Sequence, residues 1–241
     1  MPRFVELWVY LSATPLFGLT ATLVVYVLAQ AFYAGAQQAP WANPVMWTVV
    51  VLAGAMLATD VSYPTYFAGA QFIHFLLGPA VVALAWPLWQ RRAELRQRWG
   101  RLLLAALIGG IASSGSALAL GWAAGLPQDV LVSLAPKSVT APVAMGIADK
   151  IGGIPALAAV FAVITGMVGA LFGKYLFDAL RIPKDGAGWA ARGFALGTAS
   201  HGIGAARALQ VNADAGAYAG LALGLQVVLA SLLIPLVFRL F

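Results

Sequence analysis

Long apolar runs separated by short polar breaks make up this chain. Residues 154 to 173 and 215 to 238 hold no charged side chain, and each meets the roughly 20 residues a helix needs to cross about 30 Å of hydrocarbon. Four further runs, 16 to 34, 44 to 59, 72 to 89 and 102 to 122, predict additional spans, the shorter ones tilted or partial. A membrane β-barrel would alternate apolar and polar positions over about ten residues; here the apolar runs are continuous. The pattern predicts an all-α, polytopic helical membrane protein of six to eight membrane segments, with broken or re-entrant elements.

One segment departs from this pattern. Residues 134 to 142, LAPKSVTAP, set Lys137, Ser138 and Thr140 between Pro136 and Pro142. Each proline removes a backbone donor and opposes a continuous helix. Interrupted backbone at membrane depth is tolerated only against protein or beside a watery cavity, so the segment predicts a site. A second run, GFALGTASHGIGAARAL (193 to 209), combines glycines with Thr198, Ser200, His201 and Arg207. Gly193 and Gly197 have the spacing that lets helices approach closely. As a continuous helix the run puts Ser200, Gly204 and Arg207 on one face, whereas Gly202 and Gly204 equally allow a break. His201 reads either as a structural histidine or as a ligand contact.

Composition excludes several classes. With 62% apolar and 9% charged residues and a mean hydropathy of +0.89, the chain carries more apolar surface than one soluble core can hide. Cysteine is absent, which removes disulfides, thiolate metal sites and a cysteine nucleophile. His74 and His201, the only histidines, are too few for a metal centre, so no metal or cofactor is expected. Ser200 beside His201 does not make a hydrolase, because adjacent helical residues do not face each other; no enzyme activity is expected. The N-terminus, with Glu6 and aromatics, differs from a basic-then-apolar secretory signal, so the first apolar segment is expected to stay as a membrane helix. No linker interrupts the chain, which reads as one integral membrane domain over residues 1 to 241.

Charge placement refines the picture. Arg91, Arg92, Arg96, Arg98 and Arg101, opposed only by Glu94, lie between two apolar runs. They predict a cytoplasmic loop rather than a nucleic-acid surface. The stretch RIPKDGAGWAAR (181 to 192) reads as cytoplasmic for the same reason. Three apolar segments separate these loops, so one of them fails to cross, and LAPKSVTAP is the natural candidate. A weak match at an offset of 57 between 76 to 84 and 133 to 141 raises the expectation of inverted repeats.

All eight acids fall near predicted segment ends, whereas the deep polar residues are basic or hydroxylic. A charge at the centre of a spanning helix costs about 3 kcal/mol, and no acid is placed to neutralise Lys137 or Arg207. A small anion would do so. The expected substrate site therefore has Lys137 and Arg207 attracting a carboxylate, with Ser138, Thr140, Thr198 and Ser200 supplying hydrogen bonds. His201 binds substrate or carries a proton, and His74, with Tyr63 and Tyr66, contributes from the first half.

The string LAPKSVTAPVAMGIADKIGGIPALAAVFAVITGMVGALFG, followed by ALGTASHGIGAARAL, resembles the LrgB/CidB family, to which the plastidic glycolate/glycerate translocator of plants is related. LLGPAVVALAWPLW (76 to 89) and NPVMW (43 to 47) are similar to earlier landmarks of that family. The chain departs from it at Ala141 and Ala205, where family members often carry Thr. The resemblance implies two functional traditions. One is alternating-access transport of small monocarboxylates of the glycolate, glycerate, pyruvate or lactate class. The other is a holin/antiholin-like role in murein hydrolase export and autolysis, acting with a small LrgA/CidA-type membrane partner. The expected setting is the bacterial inner membrane, with the lipid bilayer, a small organic anion and further copies of the chain as partners, and no nucleic acid.

Overall fold

The computed structural model describes residues 15 to 83, 86, 89 and 92 to 240, and among these every regular element is helical. In chain order they are α1 (Pro15–Gly35), a 3-10 turn (Pro40–Ala42), α2 (Pro44–Thr59), α3 (Tyr63–Ala83), α4 (Arg92–Ala123), α5 (Gln128–Leu134), α6 (Ala141–Ile151), α7 (Pro155–Ala179), α8 (Gly186–Val211) and α9 (Ala213–Phe238). Among the described residues four helices are long and apolar enough to cross a membrane: Leu16–Gly35, Arg96–Ala123, Pro155–Ala179 and Ala213–Phe238. The shorter α2 matches the predicted run 44 to 59. Glu6 and the rest of the N-terminal stretch lie outside the described residues. The arginine cluster is not a loop: Arg92, Arg96, Arg98 and Arg101 occupy the first three turns of α4, because the stretch holds no proline and Gly100 is outweighed by good helix formers such as Arg, Glu, Leu and Gln.

The chain divides into two compact units, residues 1 to 83 and 84 to 241. In the first, α1 carries both α2 and α3. Asn43 caps α2 by accepting the amides of Val45 and Met46, and Pro44 fills the first turn, where a missing donor costs nothing. Gly18 lets α1 approach the carbonyl of Tyr66, and Thr22 Oγ1 joins the Tyr66 hydroxyl at 2.7 Å.

The second unit contains two helical hairpins. After α5, the amides of Ala135, Lys137 and Val139 donate to the carbonyls of Val132, Leu134 and Pro136, which carries the limb on as far as Val139. Pro142 then starts α6 in the reverse direction. The Ile154 amide donates to Ser133 Oγ at 2.7 Å, so residues 133 and 154 are neighbours and the segment between them doubles back. LAPKSVTAP is thus the tip of a re-entrant hairpin, as the prolines predicted.

The second hairpin lies within α8. Ser200 (φ −127°, ψ 16°) and His201 (φ 40°, ψ −134°) leave the helical region. In a continuous helix Leu196 and Gly204 would be about 12 Å apart along the axis. Instead a Cβ on Gly204 would lie 2.7 Å from the Leu196 carbonyl oxygen. The limb 186 to 199 runs alongside α9 in the same sense, with Gly193 on Ala215 and Gly197 on Ala219. The returning limb runs against it, with Leu209 on Gly216. Of the two conformations left open by the sequence, the break is the one adopted, and Ser200, Gly204 and Arg207 do not share a continuous helical face.

These elements form an inverted repeat. Hairpin plus long helix occurs at Gln128–Ala179 and again at Gly186–Phe238, with both the hairpin and the helix starting 58 residues later. In each copy the first limb runs parallel to the following helix: Ser133 meets Ile154 and Val139 packs with Ala158 and Ala162, as Gly193 and Gly197 meet Ala215 and Ala219. Gly169 faces Ser200 and Gly173 faces Leu196, so α7 runs antiparallel to the limb 186 to 199, and hence to α9. The copies are therefore related by inversion. The weak match at 76 to 84 pointed to the wrong partner, since Pro79 sits inside the single helix α3.

A Cβ at Gly197 would collide with the Ala219 carbonyl, whereas Gly202 has open space. Gly197→Ala is expected to cost about 1–3 kcal/mol because two backbones must separate. Gly202→Ala is expected within about 0.5 kcal/mol of the parent. Thermal unfolding in detergent compares the two, and equal effects would refute the close α8–α9 contact.

Candidate functional site

Both tips reach the same stretch of α4. Ser113, near the centre of the apolar run 102 to 122, receives the Lys137 ammonium at 2.9 Å. Lys137 also donates to Ser138 Oγ at 3.4 Å, and the two serine oxygens are 2.7 Å apart. Ser114 Oγ donates to the Ala135 carbonyl at 2.8 Å, anchoring the limb just before Pro136. One turn earlier on the same face of α4, Gly109 accommodates the Thr198 methyl group from the other hairpin. Thr198 is 5% exposed, and its hydroxyl has no hydrogen-bond partner among the described residues.

The tips also share α7. Val139 packs with Ala158 and Ala162, and the His201 ring donates from Nε2 to the Ala162 carbonyl at 2.8 Å; a carbonyl can only accept, which fixes the proton on that nitrogen. The ring lies over Gly166, and Ser200 fits against Gly169. A positive φ at a non-glycine residue is strained, and this bond helps hold the reversal.

The electrostatics favour an anion. Among the described residues the half-buried Lys137 ammonium has hydroxyl partners and no carboxylate. α6 and the returning limb of α8 both begin at the tips, where helix N-termini present unpaired amides and positive partial charge. Thr140 is the N-cap residue of α6 and makes no side-chain cap bond.

The predicted residues are distributed unevenly. Lys137 and Ser138 share one cluster with Ser113, and Thr198 reaches the adjacent turn of α4. Ser200 and His201 face α7. Arg207 is buried but lies six residues beyond the second tip, about 9 Å along the limb, and does not stand beside Lys137 in the serine cluster. His74 falls on α3 in the first unit, with its side chain outside the described residues. Ser113 was missed because a serine in an apolar helix reads as packing; its signal is the unusual density of small polar residues in GGIASSGS (109 to 116).

At the far end of α7 a buried guanidinium fastens the turn into α8. Arg192 donates to the carbonyls of Ile182 and Pro183, pairs with Asp178 at 2.8 Å and lies over the Phe177 and Trp189 rings.

Comparison with known proteins gives consistent results. The LrgB-like family profile matches residues 22 to 240. Bacillus subtilis YxaC, described as an uncharacterised protein, is 37% identical over 202 residues, covering 84% of this chain and 86% of its own. An uncharacterised Haemophilus influenzae protein is 32% identical over 198 residues, covering 82% and 84%. The holin-like protein CidB of Staphylococcus aureus is 29% identical over 202 residues, covering 84% and 86%. No solved structure matches significantly. Of the two roles implied by the resemblance, the CidB description supports the holin-like one, and none of these descriptions names a carried acid. The profile match across nearly the whole chain, together with its long apolar helices, makes this protein a member of the LrgB-like family and an integral protein of the bacterial inner membrane.

Proposed function

We propose that this protein carries a small organic anion across the bilayer by alternating access, with the two hairpin tips forming the binding site. The carrying observation is the convergence of both tips on α4 and α7 around an ammonium without a carboxylate partner among the described residues. Inverted repeats with interrupted helices at mid-membrane depth are a common plan for secondary transporters.

A donor count supports the monocarboxylate class. Lys137 has three N–H donors, two of which go to Ser113 and Ser138. The serine pair uses one hydroxyl hydrogen between themselves, so one N–H and one O–H remain. One positive charge with two donors matches a singly charged group with two oxygens. Thr198, Ser200, Thr140 and His201 then serve as neighbouring contacts for the rest of the molecule.

The holin-like reading is favoured by the description of the CidB relatives. It requires a pore, either from this chain alone or with a small LrgA/CidA-type partner, and oligomerisation would enlarge it. Purified protein in proteoliposomes, offered labelled glycolate, pyruvate or lactate from outside, separates the readings. The transport proposal expects saturable uptake in which one acid competes with another. Unselective leakage of a larger dye would overturn it in favour of a pore.

A further inference from the structure

We infer that the face of α4 bearing Arg92 and Arg96 binds an anionic phospholipid, with the phosphate at the two guanidiniums and one acyl chain in the furrow between α4 and α9. Two separate features lie on this one face. The first is a cavity of about 230 Å³, almost wholly apolar, lined by Leu107, Gly110 and Ser114 of α4 and by Leu229, Leu233 and Val237 of α9. The second is a hollow formed by Arg92, Ala93, Arg96 and Gln97 at the basic start of α4.

Helical geometry links them. At 3.6 residues per turn, Arg92, Arg96, Leu103, Leu107, Gly110 and Ser114 fall within a sector of about 60°. Arg101 points to the opposite side. Arg92 lies 4.8 Å from the centre of the Trp89 ring and donates to the Trp89 carbonyl, and the exposed Arg96 lines the same hollow. Guanidiniums at i and i+4 are close enough to share one phosphodiester. Along the axis Arg96 and Leu107 are about 16 Å apart, a distance that an acyl chain spans. Trp99, half-exposed on the same side, lies between them, where indole rings favour the headgroup region.

Charge selects the lipid. A zwitterionic headgroup brings its own ammonium toward two arginines, whereas phosphatidylglycerol presents only the phosphate charge. Basic residues at the end of a spanning helix attract anionic lipid for this reason.

Native mass spectrometry of the purified full chain, offered equal amounts of phosphatidylglycerol and phosphatidylcholine, tests the assignment. Phosphatidylglycerol is expected to be retained at least about five-fold better. The double variant Arg92→Gln with Arg96→Gln is expected to abolish that preference, and Arg101→Gln to preserve it. Gly115 lines the furrow and has open space where a Cβ would go. Gly115→Phe therefore fills it and is expected to reduce phosphatidylglycerol retention with every arginine intact. Equal retention of the two lipids by the parent chain, or an undiminished preference in the double variant, overturns the proposal. So does displacement of the lipid by soluble glycerol 1-phosphate, which would mark a plain phosphate site.

Discussion

Lys137→Ala is expected to lower apparent substrate affinity in proteoliposome uptake by roughly 10–100-fold while leaving the protein folded. A hydrogen bond to a charged group contributes about 1.5–3 kcal/mol, and each 1.4 kcal/mol is tenfold. The fold is expected to survive because the ammonium has hydroxyl partners rather than a buried carboxylate, so its removal strands no opposite charge. Ser113→Ala removes one acceptor and one shared hydroxyl, and is expected to give a smaller loss of the same kind. Lys137→Arg keeps the charge, but its planar fork does not fit between two hydroxyls 2.7 Å apart, so only partial uptake is expected. Wild-type uptake in Lys137→Ala, with an unchanged thermal transition, would remove the site from the mechanism.

The second large effect is expected in stability. Arg192→Ala leaves the carbonyls of Ile182 and Pro183 without their donor and takes the guanidinium away from Asp178. Leaving buried acceptors without their charged donor costs about 1–3 kcal/mol each. Arg192→Lys is expected to restore little, since a point charge cannot serve the carbonyls and the carboxylate together. Asp178→Asn is expected to be milder, because Asp178 is more exposed and has a second cation in Lys184. Thermal unfolding in detergent orders the three variants. If Asp178→Asn were as damaging as Arg192→Ala, the ion pair rather than the carbonyl anchor would hold the turn.

The spans were readable because hydrocarbon thickness imposes both length and composition on a helix. Pro136 and Pro142 disclosed the first hairpin, since two prolines six residues apart around Lys137 each remove a backbone donor and together oppose a continuous helix. The second was less legible: His201 has no intrinsic tendency to reverse a chain, and its positive φ is held by contacts to Ala162 and Gly166 far away in sequence. The repeat was hidden for a related reason. Its two copies share backbone path and small residues at crossing points, requirements that many different sequences satisfy. Arg207 was grouped with Lys137 on chemistry alone, whereas the reversal at His201 turns its limb away from the tip. Ser113 gained its place from geometry that only the folded hairpin supplies.

The inversion of the two hairpin units has a thermodynamic consequence. Under the transport reading, a conformation open to one side is related to the one open to the other by exchanging the roles of the two copies. Their free energies then differ only through the residues that break the symmetry, such as Lys137 in one tip and His201 in the other. Where those differences offset one another, the two wells are nearly level and need little differential binding to interconvert. Such a carrier would spend comparable time open to each side, so entry and exit would proceed at comparable rates under equal and opposite gradients.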